Sequence, residues 1–248
     1  MRILAVSILL ICLTEIAFSQ DKLNELTVDR PGVAETPFTV APKNYQFEIG
    51  FDYFKRSNGD VYNLPIILFR TGLSQKTELR LSSRSALDKT DGRETSKVSP
   101  FSAGIKTHII KQKKWFPETD FLANLVVPIN PDGDQSSKLG YEFLVLFQND
   151  FYPNSALNYN VGYLWDHVRG TNMFTISSCY NYLPKENLNF FIEYFCYVPD
   201  GWLGEQGLDG GITFLVQDHV QLDLSVGYSL LEGRNNMFAS SGISFRLQ

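Results

Sequence analysis

Three histidines are the first residues whose chemistry we consider, because histidine is the usual base of a hydrolytic site. They are His108, His167 and His219. Activation of a serine nucleophile requires a base within hydrogen-bond reach, and on a β-strand side chains two positions apart share a face. The residues at that spacing are Lys106, Ile110, Trp165, Arg169, Gln217 and Gln221. None is a serine, so we predict no catalytic residues and a protein that is not an enzyme.

Two cysteines, Cys179 and Cys196, could form a disulfide or bind a metal. Alternation places Cys179 on the polar face of its predicted strand with Ser177, and Cys196 on the apolar face of the next strand with Tyr194. Thiols on opposite faces cannot be bridged, and the spacing of the two residues matches no metal site. We therefore expect two free thiols, no metal and no cofactor.

Charged residues also recur at alternate positions within otherwise apolar stretches. Those expected on the inner faces of strands are Glu48, Asp52, Arg80, Arg84, Lys106, Glu142, Glu193, Asp223 and Arg246. Arg80, Arg84 and Lys106 would form a basic strip opposite carboxylates such as Glu193 and Asp223. Such charges line a polar path in one arrangement, and in another they pair and plug a small barrel.

The strands that would position these residues are clearest in the stretch 207–230. Apolar residues or glycine occupy every second position from Leu208 to Val216, and apolar residues do so again from Val220 to Leu230, with polar or small residues between them except at Leu215. This period of two is typical of a strand with one apolar face. A tight turn at 217–219 makes the pair a hairpin.

The same alternation recurs along the chain and predicts about twelve strands. They cover residues 45–53, 61–73, 77–86, 101–109, 119–129, 139–151, 157–165, 174–182, 188–198, 208–216, 220–230 and 237–246. Ten tilted residues at about 3.3 Å each rise roughly 23 Å, close to the apolar band of an outer-membrane barrel. The predicted fold class is all-β, a transmembrane antiparallel β-barrel of about 12 strands; a soluble barrel or sandwich is the alternative.

The predicted connections also differ in length and polarity. Long or polar connections are expected at 87–97, 130–138, 166–172 and 199–206, as in the outer loops of such barrels. The first of these contains a polar loop at 88–97, and Pro65 predicts a bulge in its strand. The connection at 111–118 is long for a periplasmic turn and would suit an amphipathic cap.

Residues 1–20 have the pattern of a signal peptide, with Arg2 followed by an apolar run and small residues. Residues 21–43 contain three prolines and weak periodicity, which fits either an extended tail or a segment folded against or into the barrel of residues 44–248. No later apolar run is long enough for a helical span. The 22 basic residues are spread along a chain of net charge −5, which argues against a nucleic-acid partner.

Aromatic residues provide another signal, because Tyr and Trp favour the boundary between hydrocarbon and headgroups. Those near predicted strand ends are Tyr45, Tyr53, Trp115, Tyr152, Trp165, Tyr182, Tyr197, Trp202 and Tyr228. Their collective placement favours a membrane barrel.

Several motifs resemble the outer-membrane transporter family named for the meta-pathway of phenol degradation. They are Asp29-Arg30-Pro31, Glu35-Thr36-Pro37-Phe38-Thr39-Val40, Gln46-Phe47-Glu48, Trp115-Phe116-Pro117-Glu118-Thr119, Gly162-Tyr163 with Trp165, and the stretches 208–215 and 221–225. The resemblance covers nearly all of the chain after the signal peptide and implies a barrel assigned to transport. The family's name is no evidence for phenol as a solute, and the ending Phe245-Arg246-Leu247-Gln248 departs from the family's terminal aromatic residue.

These observations predict an outer-membrane β-barrel of a Gram-negative bacterium that acts as a passive channel or transporter for small molecules. The alternative is a structural or lipid-acting barrel without a transport role. The expected partners are outer-membrane lipid, the barrel-assembly machinery and a small-molecule solute.

Overall fold

The computed structural model describes residues 26–98, 101–127, 139–166, 170–199, 204–231 and 234–248. The predicted signal peptide lies outside these residues. Among the described residues there is no helix of the length and apolarity needed to cross a membrane.

The described residues form thirteen strands, each paired antiparallel with its neighbours. They are β1 (Tyr45–Arg56), β2 (Gly59–Ser74), β3 (Thr77–Thr90), β4 (Arg93–Val98), β5 (Phe101–Ile110), β6 (Glu118–Val127), β7 (Gly140–Tyr152), β8 (Ser155–Asp166), β9 (Thr171–Lys185), β10 (Leu188–Pro199), β11 (Gln206–Gln217), β12 (Val220–Leu231) and β13 (Arg234–Leu247). Pairing of β1 with both β2 and β13 closes the sheet into a barrel.

Two of these strands, β4 and β5, occupy one position in the barrel. Both pair with β3. Strand β4 pairs with the end of β3, where Arg93 is opposite Thr90, and β5 pairs with the start of β3, where Thr107 is opposite Thr77. The closed barrel therefore has twelve strand positions, which confirms the predicted fold class.

The polar loop predicted at 88–97 is wrong. This region is a hairpin in which β3 continues to Thr90 and β4 begins at Arg93. Asp91 and Gly92 form its turn with φ values of 52° and 73°, the left-handed conformation that two-residue hairpin turns require. The composition is polar because these strand ends project beyond the apolar band, so polarity here reports exposure to water and not loss of strand structure.

The turns at one end of the barrel are short, as expected of the periplasmic side. Two-residue turns lie at 75–76, 153–154, 186–187 and 218–219. The connection at 111–117 is the longer exception. Lys113 and Phe116 exchange two backbone hydrogen bonds of 3.0 and 3.1 Å, and the side chain of Gln112 bonds the N–H (3.0 Å) and C=O (3.3 Å) of Asp150 in β7. This connection is thus a small hairpin fixed against β7, and its Trp115 is 88% exposed.

The distribution of side chains is inverted relative to a soluble protein. Apolar residues face outward and are exposed, such as Leu224 at 51% and Ile212 at 39%. Charged residues face inward and are fully buried, such as Arg70, Glu78 and Lys106 at 0%. This is the arrangement of a membrane-spanning barrel, so the soluble alternative is wrong.

Two local predictions are confirmed. The pairing of β2 with β3 shifts register between Asn63 and Ile66, which places a bulge at Pro65. Cys179 and Cys196 lie on adjacent strands, and both are free thiols.

Candidate functional site

The lumen of the barrel contains residues 26–44, which we call the N-terminal segment. Thr27 accepts a 2.8 Å hydrogen bond from the amide of Gln46 near the periplasmic start of β1, and Asn44 immediately precedes that strand. The segment therefore enters and leaves at the same end of the barrel. The sequence left a tail and an inserted segment open, and the structure places residues 26–44 inside.

Asp29 is the central contact between this segment and the barrel wall. Its Oδ2 atom lies 2.6 Å from Arg80 Nη1, 2.8 Å from Lys106 Nζ and 3.1 Å from Arg70 Nη1. Its Oδ1 atom accepts hydrogen bonds of 2.8 Å from the backbone N–H and the hydroxyl of Thr36. One carboxylate thus holds three wall cations and also folds the segment on itself.

The charge state of Asp29 follows from these neighbours. Burial alone raises the pKa of the carboxyl group, but the nearby Arg70, Lys106 and Arg80 outweigh burial and hold the pKa well below its usual range. Asp29 is therefore ionised, as its hydrogen bonds require.

Register explains why an anion is needed at this point. Arg70 of β2 and Arg80 of β3 are direct cross-strand partners, and like charges opposite one another are destabilising. Glu78 lies between them, with Oε1 at 2.9 Å from Arg70 Nε and 3.1 Å from Arg80 Nη1. Asp29 and Glu78 together separate the two guanidinium groups.

Glu35 makes a second charged contact. Its Oε1 atom lies 2.9 Å from Arg80 Nη2, and its Oε2 atom lies 3.6 Å from Lys106 Nζ. The backbone at Glu35 is fixed by Asn160 of β8, which accepts its N–H at 2.7 Å and donates to its C=O at 3.0 Å. The segment therefore contacts both sides of the lumen.

Wall carboxylates also accept hydrogen bonds from backbone N–H groups of the segment. Glu48 accepts from Asp29 at 3.1 Å and Arg30 at 3.2 Å, Glu193 from Val33 at 2.7 Å and from Ala34, and Glu78 from Val40 at 2.6 Å. Buried N–H groups without strand partners need such acceptors. The inward carboxylates thus replace the hydrogen bonds that a neighbouring strand would supply.

Arg30 extends from the segment to β12 and β13. Its Nη2 atom lies 3.2 Å from Asp223 Oδ1 and 2.8 Å from Ser240 Oγ. Gly50 and Gly242, direct partners on β1 and β13, provide the space: a Cβ atom would lie 2.0 Å from Arg30 Nη1 at Gly50 and 2.5 Å from Arg30 Nε at Gly242. Any larger residue at either position would displace the guanidinium.

The nine candidate residues lie on the inner faces of their strands and differ in their partners. Glu48, Arg80, Lys106, Glu193 and Asp223 contact the N-terminal segment. Asp52 accepts from Ser240, Glu142 from Asn124, and Arg246 donates to Gln46. Arg84 is exposed and has no ion pair within the described residues, whereas Arg80 and Lys106 are buried.

The candidate residues predicted from the sequence omit four members of the charged cluster, Asp29, Glu35, Arg70 and Glu78. Asp29 and Glu35 lie in a segment without periodicity. Arg70 lies in an apolar run whose facing the sequence leaves ambiguous. Glu78 shares the polar face of β3 with Arg80, and that spacing was the available signal.

Among the described residues, the histidines and possible metal ligands do not come together in one group. His108 Nδ1 lies 2.8 Å from Asp120 Oδ1 and 3.5 Å from Glu118 Oε1 at the periplasmic end, and His167 falls outside the described residues. Within the described ranges, no group of three or more His, Cys, Asp or Glu residues could hold a metal ion.

A cavity of about 220 Å³ remains between the segment and the wall formed by β7 to β12. Pro31 and Gly32 line it from the segment, and Asn158, Asn181 and Thr213 line it from the wall. The lumen is therefore filled only in part.

The fold is similar to solved outer-membrane barrels. The COG4313 outer membrane channel from Pseudomonas putida F1 matches with a TM-score of 0.62 and 10% identity, covering 88% of this chain and 99% of that chain. The NanC porin matches with a TM-score of 0.60 and 11% identity, covering 80% of this chain and 100% of that chain. The KdgM porin in complex with disordered oligogalacturonate matches with a TM-score of 0.57 and 8% identity, covering 81% of this chain and 99% of that chain. At these identities the likeness shows a shared fold.

The sequence itself supplies the family. A search of curated proteins finds no match. Residues 28–247 match the family described as "Putative MetA-pathway of phenol degradation", a range that includes the N-terminal segment from Val28 onward and all thirteen strands. The chain belongs to this family, as its motifs predicted.

Proposed function

We propose that the protein is a gated passive channel for small molecules in the outer membrane, and that the N-terminal segment is its gate. The observation that carries the proposal is a lumen lined by charged side chains and occupied by the N-terminal segment, which continues into β1 after Asn44. Because both ends of the segment lie at the periplasmic side, it can leave the lumen without any strand being broken. The barrel itself would persist.

The nature of the contacts supports a removable segment. Polar and ionic bonds hold it, and its buried apolar residues are few, among them Leu26, Ala34 and Val40. In the described residues its one strand-like pairing is a single bridge between Pro42 and Gly72. Polar groups released into a wet lumen regain hydrogen bonds with water, so release costs less than exposure of an apolar core.

The solved structures with a similar fold are consistent with this role. NanC and KdgM are porins by name, and the COG4313 protein is an outer membrane channel. The KdgM structure contains oligogalacturonate. These proteins support a small-solute channel as the function of the shared fold.

One observation favours a second function, a permanently closed structural barrel. Asp29 binds three wall cations and its own segment at once. A fully paired network of this kind rigidifies a structure. This alternative predicts a folded barrel that never conducts.

Conductance of the purified protein in planar bilayers separates the two functions. We expect discrete current steps in the wild type and more frequent openings in Arg30→Ala, which loses the contacts to Asp223 and Ser240. Arg56→Ala, at an exposed position in β1, is the matched control and should behave as the wild type. Heat-modifiable migration in gels would verify that each barrel is folded. Folded protein that gives no current in any variant would support the structural barrel.

A further inference from the structure

Arg80 and Lys106 are each shared by the same two carboxylates of the N-terminal segment. Arg80 lies 2.6 Å from Asp29 and 2.9 Å from Glu35, and Lys106 lies 2.8 Å from Asp29 and 3.6 Å from Glu35. The side chains of Arg80 and Lys106 are 5% and 0% exposed. Two buried cations from neighbouring strands thus form one binding site for a pair of carboxylates.

The carboxylates of the barrel wall alone do not neutralise Arg80 and Lys106. Arg70 keeps two wall partners, Glu48 and Glu78, each at 2.9 Å. Arg80 and Lys106 share only Glu78 among the wall carboxylates, at 3.1 and 4.0 Å. Without the segment, the wall would therefore hold one more cation than carboxylates in this cluster. A released segment would leave these cations in a wet lumen with one positive charge unneutralised, and this charge would attract a solute anion in place of the segment.

A further cation on β3, Arg84, lies between the outer end of the lumen and these two cations. Arg84 lies four residues beyond Arg80 on the same face, about 13 Å toward the outer end of the lumen. It is exposed, and it has no ion pair among the described residues. An anion entering from outside would meet Arg84 first and then the two cations that the segment occupies.

We propose that Arg80 and Lys106 form a binding site for small organic carboxylates in the solute path, with Asp29 and Glu35 as its internal occupants. The proposal rests on the channel function given above and names the solute class of that channel. A dicarboxylate is the best match, because the site holds two carboxylates at once. Solute and segment compete for the same cations, so an arriving anion favours release of the gate.

Removal of the internal competitor tests this site directly. The Asp29→Asn/Glu35→Gln variant replaces both carboxylates by amides of similar size and removes both charges. Asp60→Asn/Glu94→Gln is the matched control, because it removes two carboxylates that pair with Lys55 and Lys89 outside the lumen. Calorimetric titration of folded protein in detergent would measure binding of succinate, with neutral succinamide and inorganic phosphate as comparison probes.

We expect succinate to bind the Asp29→Asn/Glu35→Gln variant about tenfold more tightly than the wild type or the control, a difference of about 1.4 kcal/mol. Succinamide should show no such difference, and adding Lys106→Met should remove the gain. If the double variant fails to fold, Glu35→Gln alone, at the more exposed carboxylate, should give a smaller gain of the same sign. Equal succinate affinities in all variants, or succinamide or phosphate binding as tight as succinate, would overturn the site.

Conductance, measured separately, keeps this result distinct from the channel function. Succinate binding in a barrel that never conducts would reject the solute path while leaving an anion site. Conductance without a gain in succinate affinity would reject the site while leaving the channel.

Discussion

Asp29 and Arg80 are joined by a 2.6 Å contact across 51 positions of sequence, between a segment without regular structure and a strand of the barrel wall. The same contact holds the N-terminal segment in the lumen and neutralises a buried cation. Stability of the barrel and retention of the segment are therefore coupled through one carboxylate.

This coupling predicts a large effect of a small substitution. Asp29→Asn should lower the free energy of unfolding by about 3–5 kcal/mol, because Arg80 and Lys106 lose a buried ionic partner. Urea titration followed by tryptophan fluorescence in detergent would measure the change. Asp60→Asn removes a carboxylate from an ion pair outside the lumen and should have little effect. Similar losses for the two variants would contradict the central place of Asp29.

Much of the barrel could be predicted because strand alternation is a local property. Leu224 and Ser225 are neighbours in sequence, and their exposed fractions of 51% and 2% follow from the period of two alone. Closure into twelve positions followed from strand number and length. The region 88–97 was missed because strand ends in water lose the apolar half of the pattern while keeping their hydrogen bonds.

The charged cluster could be predicted only in part. Arg80 and Lys106 stood out as charges on a strand face, but Asp29 lies in a segment without periodicity. Its partners are set by side-chain contacts between distant parts of the chain, and no local pattern reports these. Arg70 was hidden because its strand is apolar on both faces near the residue.

The facing of β11 gives a second prediction. Ile212→Arg should cost about 2–4 kcal/mol, because the side chain faces lipid near the middle of the strand. Thr213→Arg, at the adjacent position, faces the lumenal cavity of about 220 Å³ and should cost less. Folding titrations into lipid vesicles would compare the two variants. A larger cost at Thr213 would show that the inner and outer faces are assigned wrongly.

Arg84 and Arg80 should respond differently to charge reversal. Arg84→Glu changes an exposed lumenal charge without an ion pair among the described residues, so it should shift ion selectivity toward cations with little loss of stability. Arg80→Glu places a fourth carboxylate beside Asp29, Glu35 and Glu78 and should destabilise the fold. Reversal potentials under a salt gradient, measured beside a thermal melt, test both expectations. An unchanged reversal potential in conducting Arg84→Glu would remove this residue from the pore.

The hairpin at 111–117 gives a local prediction. Gln112 provides two hydrogen bonds to the backbone of Asp150, so Gln112→Ala should loosen the hairpin and speed tryptic cleavage after Lys113 or Lys114. Gln75→Ala, in a two-residue turn at the same end, is the control. Equal cleavage rates in wild type and Gln112→Ala would show that these bonds do not fix the hairpin.

A reversible lock on the N-terminal segment tests the gate most directly. A Cβ atom on Gly32 would lie 2.5 Å from Glu193 Oε2, so cysteines at these two positions are within reach of a short bifunctional methanethiosulfonate crosslinker, whose reducible disulfide bonds would trap the segment against β10. The variant would carry Gly32→Cys and Glu193→Cys with Cys179→Ser and Cys196→Ser, and thiol titration would verify the crosslink. The matched control has serine at positions 32 and 193 in the same background.

Current through planar bilayers would be recorded for the locked variant before and after addition of a reductant. We predict no current while the crosslink is intact, current steps after reduction, and no response to reductant in the serine control. Equal current from the crosslinked and reduced protein would contradict the claim that the N-terminal segment is the gate.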